Sequence, residues 1–143
     1  MAYRRVGSYQ GSVPLQAIAD RLAVLPGDWS PAGYVTKNAP LADAFRHGLA
    51  AVIPGDWTHS MLVALRPWGG NTPMHVDELE REGLARYHLV LQTNDRCWNF
   101  HDGDWQQLEL GGVYTIDVSR NHASINWGAT LRVHLVVDAL GAS

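Results

Sequence analysis

With 143 residues, 46% of them hydrophobic and 17% charged, the chain is long enough to bury one sizeable core and lacks the profile of a disordered segment. A net charge of −3, with Lys and Arg dispersed, offers no basic footprint for nucleic acid and no polybasic patch for a membrane surface. The single cysteine, Cys97, cannot close an internal disulfide, and no apolar run approaches the length of a membrane span.

Arg4 and Arg5 are followed by Gly, Ser, Tyr and Gln where a signal peptide needs an apolar core, so the chain reads as soluble and cytoplasmic. Residues 1–11 carry no pattern that commits to an element. Leu15, Ile18, Ala19 and Leu22 then recur at helical spacing, with Ser12 as N-cap, Pro14 in the first turn and Pro26-Gly27 as the stop. This predicts a helix from Pro14 to Leu25. Leu41, Phe45 and Leu49 share a face and predict a second, weaker helix from Leu41 to Val52. Gly-Asp-Trp occurs at 27–29, 55–57 and 103–105, with irregular spacing. It reads as turn chemistry followed by a packing anchor, with Trp29 and Trp57 pinning the helices.

Beyond Trp57 the pattern becomes short strands: Ser60–Arg66, Met74–Asp77, Arg86–Thr93, Cys97–Phe100, Gln106–Leu110, Val113–Val118, Ala123–Asn126 and Leu131–Ala139. Turns at Gly69-Gly70, Asn94-Asp95, Asp102-Gly103, Gly111-Gly112 and Gly128 separate them. Eight closely spaced strands indicate a mainly β sandwich, jelly roll or barrel. The chain reads as a single domain over 1–143, with 1–58 a helical support region and 59–140 the β core.

Two strands echo one another: Arg86-Tyr87-His88-Leu89-Val90-Leu91 and Arg132-Val133-His134-Leu135-Val136-Val137. Alternation gives each an apolar face (Tyr87, Leu89, Leu91; Val133, Leu135, Val137) and a face carrying Arg and His. Both strands are strongly apolar overall, as strands of a covered sheet are. An inward cationic face then calls for an anion, because buried charges need partners.

The same alternation points His75 and Asp77 one way. With a second imidazole from a distant strand, His122, they compose a 2-His-1-carboxylate triad, which leaves coordination positions open and suits non-heme Fe(II). His47, His59 and His101 have no partners by spacing and read as surface residues. Cys97, in an apolar run, reads as a buried structural thiol.

Five pieces in order resemble the aspartyl/asparaginyl β-hydroxylase group of Fe(II)- and 2-oxoglutarate-dependent oxygenases. They are Pro73-Met74-His75-Val76-Asp77; Arg86 to Asn94; Gly112 to Asp117; Asn121-His122-Ala123-Ser124-Ile125-Asn126; and Leu131 to Asp138, with Arg132 ten residues after His122. The resemblance covers roughly residues 60–139. It implies a double-stranded β-helix (a cupin-like jelly roll) with one or two N-terminal helices packed on the sheet. It further implies Fe(II) held by His75, Asp77 and His122, and 2-oxoglutarate anchored through its distal carboxylate by Arg132. His88, with Arg86, would lie near the metal-proximal end of that cosubstrate. Val63 stands where some members carry a serine, so that contact is not implied.

The activity implied is hydroxylation of an amino-acid-like small molecule or a peptide side chain, consuming O₂ and 2-oxoglutarate and releasing succinate and CO₂. Trp68, His134 and Asn126 are candidate substrate-side residues, and Glu78-Leu79-Glu80-Arg81-Glu82-Gly83 a candidate lid. The expected partner is a small molecule or peptide, with no nucleic acid and no membrane; oligomeric state is left open. Two other readings stay open: a catalytically silent cupin-fold binding or accessory protein, and a metal-dependent cupin enzyme that does not use 2-oxoglutarate.

Overall fold

The computed structural model describes residues 3–22, 24–39, 43–79 and 83–141, apart from the side chains of residues 43 and 44. In chain order the elements are β1 (Arg4–Ser8), α1 (Leu15–Ala19), β2 (Tyr34–Asn38), α2 (Asp43–Arg46), β3 (Asp56–Leu65), β4 (Gly70–His75) and β5 (Leu84–Gln92). They continue with β6 (Cys97–His101), β7 (Asp104–Gln106), β8 (Gly112–Ile116), β9 (His122–Asn126) and β10 (Arg132–Leu140). The strands form a six-stranded sheet, β1-β8-β5-β10-β3-β2, and a four-stranded sheet, β4-β9-β6-β7, with antiparallel pairing throughout. Two facing antiparallel sheets of this kind make the jelly roll that the strand pattern indicated.

Alternation decides what each face of the larger sheet meets. Val133, Leu135, Val137 and Ala139 of β10, with Leu89 and Leu91 of β5 and Leu62 and Ala64 of β3, pack against Ile18, Leu22, Phe45, Leu49 and Ile53. That layer is the main core, and the helical segments exist to cover it. Trp29 and Trp57 pack at its edge, and Trp57 donates its indole N–H to the Ile53 carbonyl at 3.0 Å. The opposite face turns toward the four-stranded sheet, with a smaller core of Tyr3, Val90, Leu108, Tyr114, Ile116 and Val118. Arg132, His134, Val136 and Asp138 therefore lie between the sheets, each buried.

Seven of the eight expected strands are present, with ends shifted by up to four residues; Gln106–Leu110 is not one, since β7 (Asp104–Gln106) ends where that expected strand begins. Two more, β1 and β2, lie within the stretch expected to be helical support. They are the two edges of the larger sheet. Short edge strands keep polar residues such as Arg4, Arg5 and Asn38 on exposed positions, and so show little apolar alternation.

The helices are shorter than the spacing predicts. α1 keeps only Leu15–Ala19; its N-cap is Pro14, not Ser12, and has no side-chain hydrogen bond, while the Asp20 N–H closes it onto the Gln16 carbonyl at 2.8 Å. A helix this short, without a side-chain cap, is held by burial of Ile18 and Ala19 rather than by its own bonds. α2 spans four residues before the chain enters turns that still bury Leu49 and Ile53. Leu41, its expected start, and Glu80, Arg81 and Glu82 of the candidate lid lie outside the described residues.

The tight β3–β4 turn brings Gly70 against the backbone of Arg66, where a Cβ would fall 2.4 Å from the Arg66 nitrogen. Only glycine fits there, and the turn sets the register of β4 on β9, the pairing that carries the site. No helix among the described residues is long and apolar enough to cross a membrane.

Candidate metal centre

β4 and β9 place His75 directly opposite His122, with ring centroids 4.2 Å apart. Asp77 follows β4 by two residues, and its N–H donates to the Val118 carbonyl at 2.8 Å, which keeps the chain extended past the strand end. One Asp77 oxygen, Oδ2, then lies 3.5 Å from His75 Nε2 and 3.3 Å from His122 Nε2. The three donor atoms fall within 4.8 Å of one another. The alternation argument thus reaches the right juxtaposition although Asp77 itself is outside the strand.

The ring nitrogens away from the cluster fix what the near ones can do. His75 Nδ1 lies 2.7 Å from the Pro73 carbonyl and His122 Nδ1 2.9 Å from the Arg120 carbonyl. A carbonyl only accepts, so each Nδ1 carries the proton and each Nε2 turns a lone pair toward Asp77. This is how metal-ligating imidazoles are oriented by their outer partners.

Asp77 is held in the same manner. Arg86 donates to its Oδ2 at 3.1 Å, while Nε and the other terminal nitrogen of Arg86 form a fork on Asp138, at 2.8 and 2.9 Å. Arg86 and Asp138 are directly paired across β5 and β10. The Arg86 guanidinium, expected near the cosubstrate, is thus committed to two carboxylates and acts as a strut between the core and Asp77.

The cluster stands at one side of a cavity of about 460 Å³ between the two sheets. Tyr34, Thr36, Met61 and Val63 line another wall, and Thr72 and Ser124 face inward with their hydroxyls 2.7 Å apart. Arg132 belongs to the inner wall and is 3% exposed. One of its terminal nitrogens donates to Asn99 Oδ1 at 3.3 Å, and its Nε is buried without a hydrogen-bond partner. Burial pushes its pKa down to about 10. The cavity lining thus includes a buried guanidinium that no carboxylate among the described residues pairs with.

His88 also lines the cavity, and burial, with the nearby charge of Arg132, pushes its pKa down to about 3. Its Nδ1 lies 3.2 Å from Nδ1 of His134, which burial also lowers well below the ordinary range. Both rings are therefore neutral, one donating and the other accepting.

The remaining candidates are placed away from the cavity wall. His134 sits behind His88 at 1% exposure. Asn126 is fully buried, its amide nitrogen donating to the Leu65 and Thr130 carbonyls and its oxygen accepting from Asn94, Cys97 and Gly128. That is a turn-binding role. Trp68 is 68% exposed on the β3–β4 turn at φ 61°. His101, read as a surface residue, is 1% exposed; it stands opposite His122 across β6 and β9 and bonds through Nε2 to the Asp117 carbonyl at 2.9 Å. Cys97 is buried, as its apolar setting indicated. Tyr3, in a stretch without pattern, lines the cavity and was not legible in the sequence.

The donor set fits a resident metal: two imidazole lone pairs and one carboxylate, all oriented from behind, leave positions open as in non-heme Fe(II) centres. A family model described as aspartyl/asparaginyl beta-hydroxylase matches residues 52–141. A stretch of 65 residues is 35% identical to L-proline cis-4-hydroxylase of Rhizobium meliloti (strain 1021), covering 45% of this chain and 23% of that enzyme's length. In structure the chain is similar to the Cupin_2 domain of an XRE family transcriptional regulator from Enterobacter cloacae. The TM-score is 0.52 at 14% identity, over 77% of this chain and 99% of that one. It is also similar to a predicted oxalate decarboxylase from Thermotoga maritima, with a TM-score of 0.50 at 16% identity, over 76% and 81% of the two chains. These structural likenesses establish the cupin fold.

Proposed function

The chain belongs to the aspartyl/asparaginyl β-hydroxylase family, and from that premise we propose that it is an Fe(II)- and 2-oxoglutarate-dependent hydroxylase of an amino-acid-like small molecule or a peptide side chain. The observation that carries the reading is one cavity with two unlike ends. His75, Asp77 and His122 converge at one end, and a buried guanidinium with an unpaired Nε waits on the inner wall.

Each end has its part. His75, Asp77 and His122 would hold Fe(II), which when bound supplies the redox chemistry with O₂ that couples substrate hydroxylation to conversion of 2-oxoglutarate into succinate and CO₂. Arg132 takes a carboxylate of the cosubstrate, whose geometry matches its fork. His88, neutral at working pH, offers a hydrogen bond without adding charge beside Arg132. The apolar side chains of Met61, Val63 and Val136 keep water from the cavity wall. A volume of about 460 Å³ is on the scale of pockets for small ligands, shared here between cosubstrate and the reacting part of the substrate.

The test is anaerobic titration of apo-protein with Fe(II) and then 2-oxoglutarate, followed by a visible metal-to-ligand charge-transfer band. The band is expected in the parent chain and lost in His122→Ala and Arg132→Met. Fe(II) binding without any band would overturn the use of 2-oxoglutarate and favour another cupin metalloenzyme. Failure to bind either would favour a silent binding protein.

A further inference from the structure

Tyr3 lies far outside the region matched by the family model, yet the fold builds it into the cavity. β1, which follows it, pairs with β8, and the Tyr3 carbonyl accepts a bond from Gln106 at 3.1 Å. Its ring is gripped edge-on by His88, at 5.8 Å and 85°, and by His101, at 6.2 Å and 70°. Only 7% of the residue is exposed. Burial pushes the hydroxyl up to about 12, so it is a neutral donor at any working pH, and it lies within electrostatic reach of Arg132 and Asp77.

That hydroxyl makes no hydrogen bond to any described residue, and Tyr3 lines the cavity. A buried phenol ordinarily finds a partner. Arg132, which lines the same cavity and whose charge reaches Tyr3, also has an unpartnered nitrogen, Nε. The Tyr3 hydroxyl and the Arg132 guanidinium both belong to residues that line the cavity, and two donor groups there are complementary to a single group with several lone pairs; a carboxylate offers about four. Of the other hydroxyls on the cavity, Thr72 and Ser124 bond to each other, while Tyr34 and Thr36 belong to the wall formed by β2. Val63 and Val136 supply no donor.

We propose that the Tyr3 hydroxyl is the second donor, alongside the Arg132 guanidinium, to the distal carboxylate of 2-oxoglutarate. The proposal rests on the reading of the cavity given above and adds to it that an N-terminal residue completes the cosubstrate site. Tyr3 is a specificity residue for a 2-oxo diacid over a 2-oxo monoacid.

The experiment is the same anaerobic titration on Fe(II)-loaded parent and Tyr3→Phe, with 2-oxoglutarate and with 2-oxobutanoate, which has no distal carboxylate. Phenylalanine keeps the ring contacts to His88 and His101. The variant should bind 2-oxoglutarate about 10- to 100-fold more weakly, the range expected for one hydrogen bond to a charged group. Its affinity for 2-oxobutanoate should match the parent's, which also shows that the site is folded. An unchanged affinity for 2-oxoglutarate overturns the proposal, and so does an equal loss for both acids, which would mark a packing role. The parent is read first: if it takes no 2-oxoglutarate, the function reading itself fails and this proposal with it.

Discussion

The two ends of the cavity are built on opposite terms. At the outer end every group is held from behind: the two imidazoles by the Pro73 and Arg120 carbonyls, and Asp77 by Arg86, which Asp138 holds in turn. What remains free there are lone pairs pointed at one place. At the inner end stand donor groups, the Arg132 guanidinium with its unpartnered Nε and the Tyr3 hydroxyl. The first arrangement is complete without its guest except for a cation; the second carries an unsatisfied charge. Such a charge lowers the stability of the empty protein and is relieved when an anion arrives.

The largest break in this contrast comes from the strut. Arg86→Met leaves Asp138 buried and unpaired, and should lower unfolding free energy by about 3–5 kcal/mol in urea titration. Arg86→Lys keeps a charge for Asp138 but not the fork that also reaches Asp77. It should fold with a much smaller loss and bind Fe(II) about 10- to 100-fold more weakly. Normal metal affinity in that variant would show that Asp77 needs no strut.

At the inner end the sign reverses. Arg132→Met removes an under-partnered buried charge, a relief of about 1–4 kcal/mol. Against it stands the hydrogen bond lost by Asn99, about 1 kcal/mol. The ligand-free variant should therefore be at least as stable as the parent, by about 0–3 kcal/mol. A less stable variant would mean that Arg132 is satisfied in the empty protein.

The smallest effect separates the ends by pH. His88 is held neutral down to about pH 3 in the folded chain, and His134 is lowered in the same direction, whereas an unfolded histidine takes its proton near 6.5. Below 6.5 the unfolded chain binds protons that the folded one refuses. Stability is thus full above that pH and falls on acidification toward 3. Each ring contributes a slope of about 1.4 kcal/mol per pH unit. Comparing urea unfolding at pH 6.5 and 5 for the parent and His88→Gln cancels the carboxylates common to both. The variant should lose roughly one histidine's share of the slope, and an identical slope would mean that His88 is charged in the folded chain.

Much of this was legible in the residues. Period-two alternation in Arg86–Leu91 and Arg132–Val137 separates a helix-covered face from an inward one, and burial of Arg132 and His134 follows that division. The spacing of His75 and Asp77 put both on one side because an extended backbone alternates, inside a strand or just past its end. The edge strands β1 and β2 escaped, because an edge has no need of a two-sided apolar pattern. His101 escaped as well, since its partners Asp117 and Tyr3 are distant in sequence.

The sequence by itself determined the sheet class and the inward face that carries Arg132 and His134, because each depends on local periodicity. The tertiary structure alone decided the commitments. It gave Arg86 to Asp138 and Asp77, tied Asn126 into a turn, withdrew His134 behind His88 and brought Tyr3 to Arg132. Such choices turn on which of several possible partners lies within about 3 Å, and that distance is set by the register of strands far apart in the chain.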